Sequence, residues 1–156
     1  GLAEIAPVLY RNRSIKTLDL SSNSLDDIES ANVLRELLRR NKTITNICLA
    51  ANTFGRNVAA ARSIFEGLRG NTTLQQLHLG SCRLDDLGIA VLANVLAIRN
   101  SSMVELDLSW NEITSLGVCA LVDDSMEVVT PTKLYLTGNR LRGEGVTFLA
   151  NALGRN

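Results

Sequence analysis

The chain has 156 residues, 46 % hydrophobic and only 4 % aromatic, which suits one domain with a continuous aliphatic core. Sixteen Lys and Arg, scattered without a long basic run, balance sixteen Asp and Glu. That excludes the basic excess a nucleic acid or an anionic membrane surface would need, and no apolar run reaches the roughly 18 residues of a spanning helix.

In chain order, residues 1–13 predict a helix without a strand before it. Ile5 and Leu9 form one buried i,i+4 pair, and Arg11-Asn12 closes the segment. The phrase Leu18-Asp19-Leu20-Ser21-Ser22-Asn23-Ser24-Leu25 opens the first full copy of a repeat. Its helix carries Leu34 and Leu38 and ends Arg40-Asn41. The second copy is Ile47-Cys48-Leu49-Ala50-Ala51-Asn52-Thr53-Phe54, with Ile64 and Leu68 in its helix and the ending Arg69-Gly70-Asn71. The third, Leu77-His78-Leu79-Gly80-Ser81-Cys82-Arg83-Leu84, runs to Arg99-Asn100.

The fourth copy is Leu106-Asp107-Leu108-Ser109-Trp110-Asn111-Glu112-Ile113. It departs from its siblings afterwards: Asp123-Asp124-Ser125 and then Val129-Thr130-Pro131 replace the Arg-Asn ending, which predicts a shortened helix with an acidic convex knuckle as a functional alternative. The fifth, Leu134-Tyr135-Leu136-Thr137-Gly138-Asn139-Arg140-Leu141, leads to the pair Leu149 and Leu153 and closes at Arg155-Asn156. Positions 23, 52, 82, 111 and 139 hold Asn, or Cys once, at intervals of 29, 30, 29 and 28 residues. Five in-phase copies over about 14–156 define one repeat domain.

Each phrase has a physical reading. The alternating L-x-L is a short strand with leucines inward. An inward Asn after it hydrogen-bonds backbone groups of its own and the next turn, and Cys82 is small enough for the same space. A cation in the last helical turn suits the dipole, and the Asn or Gly after it suits a left-handed ending residue. Strands about 4.8 Å apart and helices nearer 10 Å apart cannot stack straight, so the array curves with its strands inside.

The pattern resembles leucine-rich repeats of the ribonuclease-inhibitor-like class, over essentially the whole chain. The resemblance implies an α/β fold, a right-handed solenoid or horseshoe with parallel strands on the concave face and helices on the convex face. It also implies a cytoplasmic protein-recognition module with no cofactor and no catalysis. Similar arrays serve as sensor domains of NOD-like receptors, as GTPase-activating proteins for Ran and as actin regulators, so a regulatory array is the competing reading. Three cysteines at dissimilar positions, Cys48, Cys82 and Cys119, agree with reduced thiols in the cytoplasm. A first residue that is Gly1 and not Met, with neither end showing a polar cap, predicts a piece of a longer array with ends able to associate.

The outward positions between the leucines form the candidate binding surface. One column is Thr17, Asn46, Gln76, Glu105 and Lys133, and the central one is Asp19, Cys48, His78, Asp107 and Tyr135. The larger groups gather in the third to fifth copies: His78, Glu105, Asp107, Trp110, Glu112, Lys133 and Tyr135. Trp and Tyr dominate binding hot spots, and the acids Glu105, Asp107 and Glu112 near Trp110 suit a protein or peptide partner with a basic patch. Cys48, His78 and Asp107 fall in one column, about 5 Å apart, in the order a thiol hydrolase would use. An open face with no oxyanion hole argues against catalysis, and one Cys with one His is too little for a zinc site. Gly138 to Gly143 has the glycine spacing of a phosphate-binding loop, but Glu144 stands where lysine is required.

Overall fold

The computed structural model describes residues 2–97, 102–122 and 131–154. Helix α1 (Leu2–Arg11) precedes five strand-and-helix units. These are β1 (Thr17–Asp19) with α2 (Ile28–Arg40), β2 (Asn46–Cys48) with α3 (Val58–Glu66), and β3 (Gln76–His78) with α4 (Asp86–Leu96). The last two are β4 (Glu105–Asp107) with α5 (Ser115–Leu121) and β5 (Lys133–Tyr135) with α6 (Arg142–Leu153). The strands make one parallel sheet in the order β1-β2-β3-β4-β5, and each helix packs on its neighbours in sequence. The register pairs Thr17 with Asn46, then Gln76, Glu105 and Lys133, so the columns of the sequence are columns in space.

The sheet outlasts the assigned strands. Leu20, Leu49, Leu79 and Leu108 donate their N–H groups to carbonyls of the following copy at 2.8 to 2.9 Å. Ser22, Ala51, Ser81 and Trp110 do the same two residues later. Inside lie the leucines and isoleucines of the second to fourth phrases together with Ile44, Leu74 and Met103, which precede them, whereas Leu18, Leu20, Leu134 and Leu136 at the two ends of the sheet are half-buried. The 30-residue copy fills its extra length with a single 3-10 turn, Phe54–Arg56, whose Phe54 meets Phe65 edge to face at 6.4 Å.

The asparagine ladder runs opposite to the expected direction. Asn52 Oδ1 accepts from the N–H groups of Asn23 and Leu25, and its Nδ2 donates to the carbonyls of Leu20 and Leu49. Asn111 repeats this with Cys82, Leu84, Leu79 and Leu108. The bonds therefore join each turn to the one before it, not the one after. Cys82 keeps part of the pattern, its Sγ donating to the Leu49 carbonyl at 3.2 Å, and burial pushes its thiol up to about 12.

The helix endings hold a second ladder. Asn41 is extended (φ −74°, ψ 130°) and not left-handed; its Oδ1 accepts from Thr43 and Ile44 while Nδ2 donates to the Leu9 carbonyl. Asn71 does likewise with Thr73, Leu74 and Leu38. Asparagine is selected there for its amide; Gly70, at φ +72°, is the left-handed residue of that ending. Two apolar pairs are also corrected. Ile5 is 48 % and Leu153 73 % exposed, because α1 and α6 each have a helix packed on one side within this chain. The endings Arg99-Asn100 and Arg155-Asn156, the acidic Asp123-Asp124-Ser125 and Val129-Thr130 lie outside the described residues, while α5 has seven residues against thirteen in α2.

Candidate protein-recognition surface

The first outward column is a chain of side-chain hydrogen bonds. Asn46 Nδ2 donates to Gln76 Oε1, Gln76 Nε2 donates to Glu105 Oε2 at 3.4 Å, and Lys133 Nζ donates to the same oxygen at 3.2 Å. The Glu105 side chain is 12 % exposed, so its charge is largely committed to Lys133. The acids near Trp110 are thus less available than the sequence implied. Glu112 is exposed, but Arg83 and Arg140 hold its position in the copies on either side. Asp107 remains, with Oδ1 accepting from the Ser109 N–H at 2.8 Å and Oδ2 lying 3.9 Å from His78 Nδ1.

The central column brings Cys48, His78 and Asp107 side by side in register, as their spacing indicated. The chemistry does not follow. Burial raises the Cys48 pKa above its ordinary value, and the Asp19 carboxylate on the neighbouring strand adds to the rise. A nucleophile needs the opposite shift, because the thiolate is the reactive form. Asp19 itself is held below the usual carboxylate range by the Ser21 N–H, which donates to its Oδ1 at 2.9 Å.

Trp110 departs most from an ordinary strand position. It has φ +57°, in register with Ser22, Ala51, Ser81 and Gly138, whose φ values run from 56° to 75°. The whole column is left-handed. Each of its first four members donates the late sheet bond to the next copy, which holds the unusual backbone in place. The indole lies directly on Gly138: a Cβ there would sit 2.5 Å from both Cδ2 and Cε3. One face of the ring is backed by that glycine, yet 66 % of the residue is exposed. Tyr135, beside Asp107 in register, is 43 % exposed. Sequence reasoning found both aromatics but not the left-handed column; the glycine at position 138 was its one visible trace.

Among the described residues no three His, Cys, Asp or Glu side chains group as a metal site, and no helix is long and apolar enough to cross a membrane. Comparison with known proteins bears on the repeat itself. The Leucine Rich repeat family model matches residues 11–28, 70–93 and 99–122. The chain is 27 % identical over 152 residues to NACHT, LRR and PYD domains-containing protein 4C of Mus musculus, covering 95 % of this chain and 15 % of that protein. It is 31 % identical over 151 residues to the ribonuclease inhibitor of Mus musculus, covering 79 % of this chain and 33 % of that one. The chain thus spans a small part of the length of these relatives. In fold it is similar to the solved structure of Leiomodin-1 Actin-Binding Site 2 (TM-score 0.74, 18 % identity), over 97 % of this chain and 87 % of that one. Repeat phrase, strand register and relatives all match leucine-rich-repeat arrays of the ribonuclease-inhibitor-like family.

Proposed function

We propose that the array recognises a partner protein or peptide on the concave surface of its third to fifth copies. Trp110 and Tyr135 are the anchors, and His78, Glu105, Asp107, Glu112 and Lys133 border them. The observation that carries this reading is the fixed, exposed indole. A ring braced from behind by Gly138 and from below by a left-handed backbone loses little freedom when a partner covers its open face. The partner presents a Lys or Arg side chain, which suits both the ring face and the Asp107 carboxylate. The array acts by binding and not by catalysis, within a longer cytoplasmic protein.

The test begins with a partner identified by crosslinking to the intact chain and then purified. Trp110→Ala should weaken its affinity by roughly a hundredfold and Tyr135→Ala by roughly tenfold, the range of anchor residues at protein interfaces. Unchanged affinity in both variants would remove the address while leaving the family intact.

A further inference from the structure

A second surface lies on the convex side, between α2 and α3, and its charges are unbalanced. Glu29 stands exposed in the first turn of α2, whereas the other two carboxylates of these helices, Glu36 and Glu66, are engaged toward their C-terminal ends. Glu36 accepts from Arg39 Nη2 at 2.8 Å and from Arg40 Nε at 2.7 Å, which holds its carboxyl at about 2. Glu66 takes a two-pronged pair from Arg69, at 2.9 and 3.2 Å. Arg35 meets Glu36 no closer than 3.9 Å, and Arg62 has no carboxylate within bonding distance among the described residues. These two guanidinium groups line one groove of about 580 Å³.

The groove is ordered by a bond that crosses it. Ser63, 8 % exposed, donates through Oγ to Asn32 Oδ1 at 2.7 Å. That fixes the Asn32 amide with its acceptor turned inward and leaves its Nδ2 hydrogens for the groove. Gly67 keeps the helices together below, since a Cβ there would come within 2.8 Å of Arg35 backbone. Above, Ile28 and Val58 supply an apolar floor, with Ile28 47 % exposed. The groove therefore presents two guanidinium groups and a primary amide as donors beside an aliphatic strip; Glu66 also lines it, with its carboxylate held by Arg69.

We propose that this groove is a docking site for an acidic peptide segment of a partner protein. One Asp or Glu of the segment lies between Arg35 and Arg62 and accepts from Asn32 Nδ2, while a neighbouring aliphatic side chain covers Ile28 and Val58. Arginine forks suit a planar carboxylate, and the floor would add nothing to the binding of a bare polyanion. The site is separate from the concave surface and stands or falls independently of it.

A randomised peptide library selected against the intact chain tests this. Selection on the unaltered protein should enrich Asp and Glu next to Leu or Ile. The double reversal R35E/R62E should invert the preference to Lys and Arg, and a fluorescent copy of the selected acidic peptide should bind it at least tenfold more weakly. The nearly isosteric Asn32→Asp should weaken that peptide too, with its melting curve checking the fold. Trp110→Ala should leave its affinity unchanged, whereas Arg69→Ala, which releases Glu66 toward Arg62, should weaken it. Peptides of the same charge composition from the unaltered and doubly reversed chains would overturn the proposal. So would loss of the acidic peptide in Trp110→Ala, or displacement of it by phosphatidylserine vesicles or duplex DNA at lower concentration than by free peptide.

Discussion

Trp110 and Gly138 belong to different copies but share one constraint. At Gly138 a side chain meets a left-handed φ of +75° and an indole 2.5 Å from its first carbon. Gly138→Ala should therefore lower stability by at least about 1 kcal/mol, the left-handed penalty alone, and should shift the ring. Trp110 is the one tryptophan of the chain, so its emission reports that shift without a label; an unaltered spectrum and melting temperature would contradict the contact. The cysteines differ as sharply. Cys119 is exposed, Cys48 is half-buried and Cys82 is buried. Iodoacetamide at pH 8 should modify Cys119 first and Cys82 only on unfolding, read by peptide mass spectrometry. For Cys82 the direction with pH follows from its raised value. Below its ordinary 9.0 the thiol is protonated in both folded and unfolded chains, so stability is unaffected there. Between 9.0 and about 12 only the unfolded chain ionises, and stability falls as pH rises.

At the scale of elements, capping crosses from one copy to the next. Asp86 belongs to α4, yet its Oδ1 accepts from the N–H groups of Thr114 and Gly117 and its Oδ2 from the Thr114 hydroxyl at 2.6 Å. It caps α5 together with Thr114, and Gly117 leaves the room, since a Cβ there would lie 2.5 Å from Oδ1. Asp86→Ala should cost about 1 to 2 kcal/mol in a denaturant melt, and Glu29→Ala, at an exposed start of α2, a few tenths. Asn111→Ala is the harsher change. It strands two buried N–H groups and the Leu79 carbonyl, while Leu108 keeps its bond from Asn139, for a loss of about 3 kcal/mol or more. The strands, their register and the Asn column were legible because burial repeats every 28 to 30 residues. The direction of the ladder was not, since an amide can face either neighbour. Nor was the exposure of Ile5 and Leu153, because a helical stripe is buried only by what packs outside it.

For the molecule as a whole, acid acts on many small contacts at once. Asp19, Asp27, Glu36 and Glu66 all have lowered carboxyl pKa values, the first two through neighbouring N–H groups and the last two through arginines. Their contribution is complete above the ordinary 4.5 of a glutamate and is lost as pH falls toward the folded value, about 2 for Glu36. Melting temperature should hold near neutrality and decline below about pH 4.5, and Glu36→Gln should flatten part of that decline. A decline no smaller in Glu36→Gln would mean that the paired arginines contribute nothing. The outward columns of the proposed binding surface were legible, because they follow from the register, whereas their electrostatics were not. Lys133 takes up Glu105 through a contact that spans 28 residues of sequence, and the sequence marks no such pairing. The left-handed column carries a further consequence. Its members already accept an unfavourable backbone, secured by a bond from the main chain, and Ser, Ala, Trp and Gly all occupy it without disturbing the leucines beneath. Such a row uncouples what the surface displays from what the core requires. Under the proposed function, variation there would change which partner is recognised while the scaffold remains the same, one repeat at a time.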